Sequence, residues 1–269
     1  MSLVISKVFT YDTDAGDYIQ RVEGASGDNQ ALEPATRQAI NNFVIGCKQD
    51  GIWNAIKASC ILSGARTLNG ALQPLVGTAP TNNGPFVTGD YNRKTGLVGN
   101  GSSKYLNSNR LHTADPQNNT HVGIFVSTAS TSGAGQYPNY FGAGSGSDGT
   151  VSHIEREQNN GQLFVRFKSI GSAPFAGGNG NAVNFIGTSR SASTQFIFRA
   201  GSVNSVAMIG STVPTNINYS LFAGTQTTGS ISAYSNARLA FYSIGESLDL
   251  ALLDARVTAL ITAFGVAIP

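Results

Sequence analysis

Glu155-Arg156-Glu157 is the closest approach to a paired acid in this chain. Side chains at i and i+2 leave the same face of a strand, and two carboxyl groups on one face are what glycoside hydrolysis needs. No further acid follows at a useful spacing, because Gln158, Asn159, Asn160 and Gly161 lead straight into a turn. A solvated strand end explains the pair more simply. His112, His121 and His153 lie far apart, and none has a second ligand at the close spacing that metal sites use. Thr113 to Asn119 could offer oxygen ligands to calcium, but it holds a single acid, Asp115, and reads equally well as a turn. No Gly-x-Ser-x-Gly elbow, phosphate loop or zinc spacing is present. The expectation is no catalytic set, no metal ligands and no cofactor.

Glycan contact is the chemistry left open. Tyr137, Asn139, Tyr140 and Asp148 are types that stack on sugar rings or hydrogen-bond their hydroxyls. They lie in or beside a Ser- and Gly-rich stretch from Ala129 to Gly149, long enough to be a functional loop. The competing reading packs this loop against a neighbouring protein. A lectin should show Tyr137 or Tyr140 exposed beside a groove. Trp53, the one tryptophan, reads as a structural anchor of the core; as a sugar platform it would need an exposed face.

The elements that must position these residues fall into two parts, 1–60 and 61–269. Leu3 to Phe9 is a short strand or arm. Asp14 to Glu23 reads as a helix capped by Thr13 or Asp14, with Tyr18, Ile19 and Val22 on its apolar side. A second helix starts at Pro34, buries Ala39, Ile40, Phe43, Val44 and Cys47, and stops near Gly51. Ile52 to Ala58 reads as one or two further turns.

Beyond Leu62 the helical period gives way to about a dozen short strands. They are expected at 85–88, 96–99, 104–107, 121–127, 139–143, 150–156, 162–168, 183–188, 194–200, 202–209, 218–223, 230–234 and 238–244. Asn159-Asn160-Gly161 should turn a hairpin. A second Gly/Asn loop spans 177–181. There is no βαβ alternation and no fixed repeat, so a sandwich is expected rather than a doubly wound sheet or a propeller. Arg238 to Ile244 is apolar on both faces, as a central strand is, with Leu239 and Phe241 on one face and Ala240, Tyr242 and Ile244 on the other. A helix over 247–264 follows, capped by Ser247 or Asp249. Its stripe is Leu250, Leu253, Val257, Leu260, Ile261 and Phe264; it ends at Gly265 and should cover an edge or end of the sandwich.

Composition narrows the class. Only 12% of the 269 residues are charged, 41% are hydrophobic and 32 are Gly, which suits many short strands joined by polar turns. A net charge of +2, without a basic stripe, argues against nucleic acid. No targeting segment opens the chain, and no apolar run reaches membrane-spanning length. Cys47 and Cys60 are therefore expected as free thiols, a bridge between them being the alternative.

The chain resembles a recurring tailed-phage virion module. The resemblance rests on a helical lead with Tyr18-Ile19, Leu32-Glu33-Pro34-Ala35, Ala39-Ile40-Asn41-Asn42-Phe43-Val44 and Gly51-Ile52-Trp53. It continues through Asp90-Tyr91-Asn92-Arg93-Lys94-Thr95-Gly96-Leu97, Gly99-Asn100-Gly101-Ser102 and Tyr105-Leu106 to Leu239-Ala240-Phe241-Tyr242-Ser243-Ile244-Gly245-Glu246. It implies a mainly β fold, a concanavalin A-like (laminin-G-like) jelly-roll sandwich with an N-terminal helical segment and a C-terminal helix. β-Glucanase jelly rolls carry Glu-x-Asp-x-x-Glu on one strand, a pattern Glu155 does not complete. The resemblance implies a non-enzymatic structural protein made in the host cytoplasm and housed in the virion. Head decoration or cement is the leading expectation, with the major capsid protein or tail proteins as partners; separately, the strand edges of such a sandwich need covering, by a homotrimer or by contact with a shell neighbour. The alternative is a tail or fibre lectin that recognises host surface glycan.

Overall fold

The computed structural model describes residues 10–28, 30–131, 137–144, 150–156, 161–174 and 183–269. The expected arm at 3–9, Asp148, Glu157, most of the 159–161 turn and the 177–181 loop lie outside them.

The fold is mainly β, a jelly-roll sandwich carrying helices on one outer face. Among the described residues each sheet has nine strands. The inner sheet runs Val203–Ala207, Phe196–Ala200, Asn184–Arg190, Thr120–Thr128, Arg238–Gly245, Ile56–Ile61, Pro74–Val76, with Gly96–Val98 attached to Arg238–Gly245 and Tyr91–Asn92 to Gly96–Val98. The outer sheet runs Ala173–Pro174, Leu163–Ser169, Val151–Arg156, Asn139–Ala143, Asn218–Leu221, Tyr105–Leu111, Thr81–Asn83, with Gly224–Thr225 beside Asn139–Ala143 and Ile231–Ser232 paired to Gly224–Thr225.

Two apolar layers follow from this stacking. Between the sheets lie Leu106, Ile124, Phe141, Ile154, Val165, Phe167, Phe196, Leu221 and Tyr242. Between the inner sheet and the helices lie Tyr18, Phe43, Val44, Phe125, Phe185, Phe241, Leu253, Val257 and Phe264. A sheet buried on both faces needs apolar residues on both, and the inner sheet's central strands have them.

Helix α1 (Thr13–Ser26) buries Ala15, Tyr18, Ile19 and Val22, and its cap is Asp12 rather than Thr13 or Asp14. Helix α2 (Pro34–Gln49) buries the expected stripe and ends at Asp50, with Gly51 beyond it at φ +73°. The further helical turns expected at 52–58 do not form. Trp53–Ala55 is a single 3-10 turn, and Ile56–Ile61 is a strand paired with Arg238–Gly245. Pairing with the buried central strand outweighs the local helical preference of Ala55, Lys57 and Ala58. The 60/61 division of the chain therefore falls inside a strand. Likewise 85–88 is not a strand, since Thr88–Asp90 is a 3-10 turn.

Arg238–Gly245 is central, as its apolarity indicates, but its faces are not as simple alternation has them. The register with Thr120–Thr128 slips between Leu239 and Phe241. This β-bulge turns Leu239, Tyr242 and Ile244 toward the sandwich core and Ala240 and Phe241 toward the helices.

After the four-residue helix α3 (Leu68–Ala71), the last helix, α4, spans Leu250–Ala267. Asp249 caps it, accepting from the Ala251 and Leu252 amides. It continues past Gly265, because buried Ile268, hydrogen-bonded to the Phe264 carbonyl, holds the last turn down. Helix α4 covers the outer face of the inner sheet beside α2, not an edge or end. Arg256 bonds Asp50 at 2.7 and 2.8 Å, and Arg199 bonds Asp254 at 2.7 Å, tying α4 to α2 and to the sheet. By length and composition this 18-residue helix, with mean hydropathy 1.7, is apolar enough to cross a membrane, contrary to the expectation from sequence. Its apolar stripe is used here for packing.

Both cysteines are free and buried. Cys47 sits in the helical layer and Cys60 in the sandwich core, on opposite sides of the inner sheet, so the alternative bridge is excluded.

Candidate functional site

Three neighbouring strands of the outer sheet build a concave floor on its outward face. In Leu163–Ser169, Leu163, Val165 and Phe167 turn inward, which sends Phe164 and Arg166 outward. In Val151–Arg156, Ile154 turns inward, which sends His153 and Glu155 outward. Register places Arg166 beside His153 and Phe164 beside Glu155; on the other side Glu155 pairs with Asn139 and His153 with Gly142. The floor and its walls enclose an open groove of about 640 Å³. Its lining includes Tyr137, Asn139, His153, Glu155, Arg166 and Tyr234.

Two glycines make room for the floor's side chains. A Cβ at Gly142 would stand 2.8 Å from the His153 ring, and one at Gly224 would stand 2.4 Å from Asn139 Nδ2. Any larger residue at either position would displace the imidazole or the carboxamide.

The polar groups are held but not saturated. His153 Nε2 lies 2.9 Å from the Gly144 carbonyl oxygen. A carbonyl only accepts, so Nε2 carries the proton and Nδ1 presents a lone pair, 3.8 Å from Glu155 Oε2. Burial, reinforced by the Arg166 charge, lowers the imidazole to about 4, so it is neutral near pH 7. Burial pushes the Glu155 carboxyl upward, and Arg166 opposes that shift. Asn139 is 2% exposed, and its carboxamide oxygen meets no donor among the described residues. The buried Nε of Arg166 meets no acceptor there either.

Aromatic rings flank this floor. Tyr137 is 47% exposed and stands edge-on to Phe164, with ring centroids 6.3 Å apart and planes at 90°. Tyr234 lines the opposite wall and meets Tyr105 at 6.3 Å.

The residues singled out in the sequence separate here. Tyr137 and Asn139 both line the groove. Tyr140 does not: it is fully buried between the sheets, and its hydroxyl accepts from the Ser130 amide at 3.1 Å. The cause is a register shift between Asn139 and Phe141, which puts adjacent Tyr140 and Phe141 both inside. Burial pushes the Tyr140 phenol up to about 12. Tyr140 is thus a core residue and no contact for a glycan. Trp53 is half-buried rather than a full core anchor. It packs on the helical layer, donates to Asp14 Oδ2 at 3.1 Å and has Lys48 Nζ 5.8 Å from its ring.

Asp115, the acid of the calcium reading, is bonded on both oxygens by Arg110, at 2.8 and 2.5 Å. Among the described residues no three His, Cys, Asp or Glu side chains gather where they could hold a metal ion.

His153 was weighed in the sequence only as a metal ligand, and Arg166 and Tyr234 were not singled out at all. Strand alternation already places His153 and Arg166 on outward faces. It carries no information on which strands lie side by side, and that adjacency makes the groove.

No family model matches this chain, and no curated protein does. Among solved structures the chain is similar to Trypanosoma rangeli sialidase, at 10% identity and TM-score 0.48, over 83% of this chain and 38% of that one. It is similar to the Ruminococcus gnavus IT-sialidase CBM40 bound to α2,3-sialyllactose, at 11% identity and TM-score 0.36, over 52% of this chain and 82% of that one. It is also similar to a domain of an extracellular arabinanase from Geobacillus stearothermophilus in complex with arabinotriose, at 13% identity and TM-score 0.40, over 59% of this chain and 74% of that one. The chain spans well under two thirds of the sialidase.

Proposed function

We propose that this protein is a non-enzymatic, lectin-like virion protein of a tailed phage, holding a host surface glycan in the outer-sheet groove. One observation carries the glycan reading: an exposed tyrosine, Tyr137, braced by Phe164, beside a groove floored by polar groups with unused hydrogen-bonding capacity. Sugars present an apolar ring face and a rim of hydroxyls, and an aromatic ring beside a polar floor meets both. The phage assignment rests on the resemblance of the helical lead and the Asp90 to Leu106 body. The non-enzymatic reading is supported by the acid inventory, since Glu155 is the sole carboxylate among the described lining residues. Glycoside hydrolysis generally uses two.

A glycan array tests this. The wild-type chain should bind a restricted set of glycans, and Tyr137→Ala should weaken that binding by about tenfold to a hundredfold, the range for losing one stacking aromatic. Equal binding by the two proteins would remove Tyr137 from the site.

A second reading, attachment to the head as a decoration or cement protein, has its own support. Val203, Val206 and Met208, on and just after the edge strand Val203–Ala207, are exposed. An exposed apolar edge is a surface that assemblies cover, by a shell neighbour or by a homotrimer mate. Copy number in purified virions separates the readings: hundreds of copies mean the head, and about a dozen mean the tail or a fibre, consistent with the symmetry of such particles. Complete absence from virions would overturn both placements.

A further inference from the structure

The groove's unsatisfied groups point to a kind of sugar. The floor sets acceptors on one side, the Asn139 carboxamide oxygen, the Nδ1 lone pair of His153 and the Glu155 carboxylate, each able to accept a hydrogen bond. Arg166 is the floor's cation, with a buried Nε that lacks an acceptor. No ion pair within 4.0 Å joins Arg166 to Glu155, although they stand diagonally on neighbouring strands. A ligand group must therefore donate to one side and accept from the other. A hydroxyl does both at once.

We propose that the groove recognises an uncharged pyranose through two neighbouring hydroxyls, one donating to the Asn139 carboxamide oxygen and the next accepting from Arg166 while donating to Glu155. This deepens the glycan reading and rests on it. Register supports the spacing. Glu155 faces Asn139 across one strand gap of about 4.8 Å, and Arg166 stands diagonally from it across the next, about 7–8 Å from backbone to backbone and within reach of a long side chain, a span that a sugar ring with its hydroxyls can bridge.

Charge argues against the alternatives. An acidic sugar's carboxylate in the place of the hydroxyl beside Arg166 accepts but cannot donate, so it would leave Glu155 without a donor. It would also set a second negative charge beside Glu155 in a half-buried site, where like charges repel strongly. An amino sugar would place its ammonium beside Arg166. The tyrosines on the walls are indifferent to sugar charge, so discrimination falls to the floor.

The test is calorimetric titration of the intact chain at pH 7 with matched methyl glycosides: glucose against glucuronic acid and glucosamine, galactose against galacturonic acid and galactosamine, mannose against mannuronic acid and mannosamine. In the series that binds best, the neutral sugar should be at least about tenfold tighter than either charged partner. A charged member that binds as tightly or more tightly would overturn the inference and leave glycan binding intact. No binding in any series, nor to any glycan on the array, would overturn both. Glu155→Gln provides a second readout. Removing the charge should bring the acidic and neutral affinities closer together, and an unchanged ratio would overturn the role given to Glu155.

Discussion

Between pH 6.5 and pH 4 this protein is expected to lose several kcal/mol of stability, and the loss should come mainly from three buried histidines. Burial lowers His112 to about 3, with Lys168 and His153 adding to the shift. Burial lowers His121 to about 4, against a partial restoring effect from its bond to the Glu246 carbonyl. His153, in the groove floor, is also lowered to about 4. The rings are held by short bonds: His112 Nε2 to Ser152 Oγ at 2.8 Å, His121 Nδ1 to the Glu246 carbonyl at 2.5 Å and His121 Nε2 to Ser243 Oγ at 2.7 Å.

An unfolded histidine titrates near 6.5. Each of these groups therefore has a depressed folded value. Its contribution is complete above about 6.5 and is lost as pH falls toward the folded value, because the unfolded chain takes up protons that the folded chain refuses. At about 1.4 kcal/mol per pH unit, His121 and His153 each contribute roughly 3 kcal/mol at full titration and His112 roughly 5. That sum is comparable with the roughly 5–15 kcal/mol that holds most domains together. Glu155, whose folded value is raised, works in the opposite direction over part of the range. Urea unfolding at pH 7.0, 5.5 and 4.5 measures the effect. A flat stability across that range would overturn the assignment, and His121→Asn should remove one share of the slope.

Replacing Arg190 by Met is expected to cost about 4 kcal/mol or more, a large effect for one residue. Arg190 is fully buried, and among the described residues none of its bonds is to an acid. Its guanidinium instead donates to four carbonyls: Phe167 at 3.1 and 2.8 Å, Ala192 at 3.2 Å, Gln195 at 3.0 Å and Ile209 at 3.2 Å from each of two nitrogens. It also lies 5.2 Å from the centre of the Phe196 ring. Phe167 belongs to the outer sheet and Arg190 to the inner one, so this single side chain joins the two layers. Met fills a similar volume but donates nothing. It would leave these carbonyls buried without donors, at about 1–3 kcal/mol each before relaxation. Arg190→Lys should recover only part of the loss, because an ammonium cannot span the fork. Equilibrium unfolding of the two variants decides this, and a loss under about 1 kcal/mol for Arg190→Met would refute the tie between layers.

The amino-acid sequence by itself determined the parts of this protein that depend on local periodicity. The apolar stripes of α1, α2 and α4, the burial of Arg238–Gly245 on both faces and the inward run Leu163, Val165, Phe167 were all legible, because a side chain's face follows from 3.6- or 2-residue spacing alone. Tyr137 and Tyr140 were legible alike, as aromatics in or beside a polar stretch, with nothing to say which one is exposed. Tertiary structure alone decided the rest. Ile56–Ile61 became a strand because a partner far along the chain accepted it. Bulges near Tyr140 and Ala240 shifted the alternation by one residue, burying Tyr140 and sending Leu239 and Phe241 to opposite faces. Lys168 and Arg190 went to the interior because carbonyls from distant segments could receive their protons. The groove belongs to this second group. Asn139, Glu155 and Arg166 lie on three strands, and register rather than sequence spacing sets them side by side. Register is a long-range property, fixed only when the whole sandwich closes.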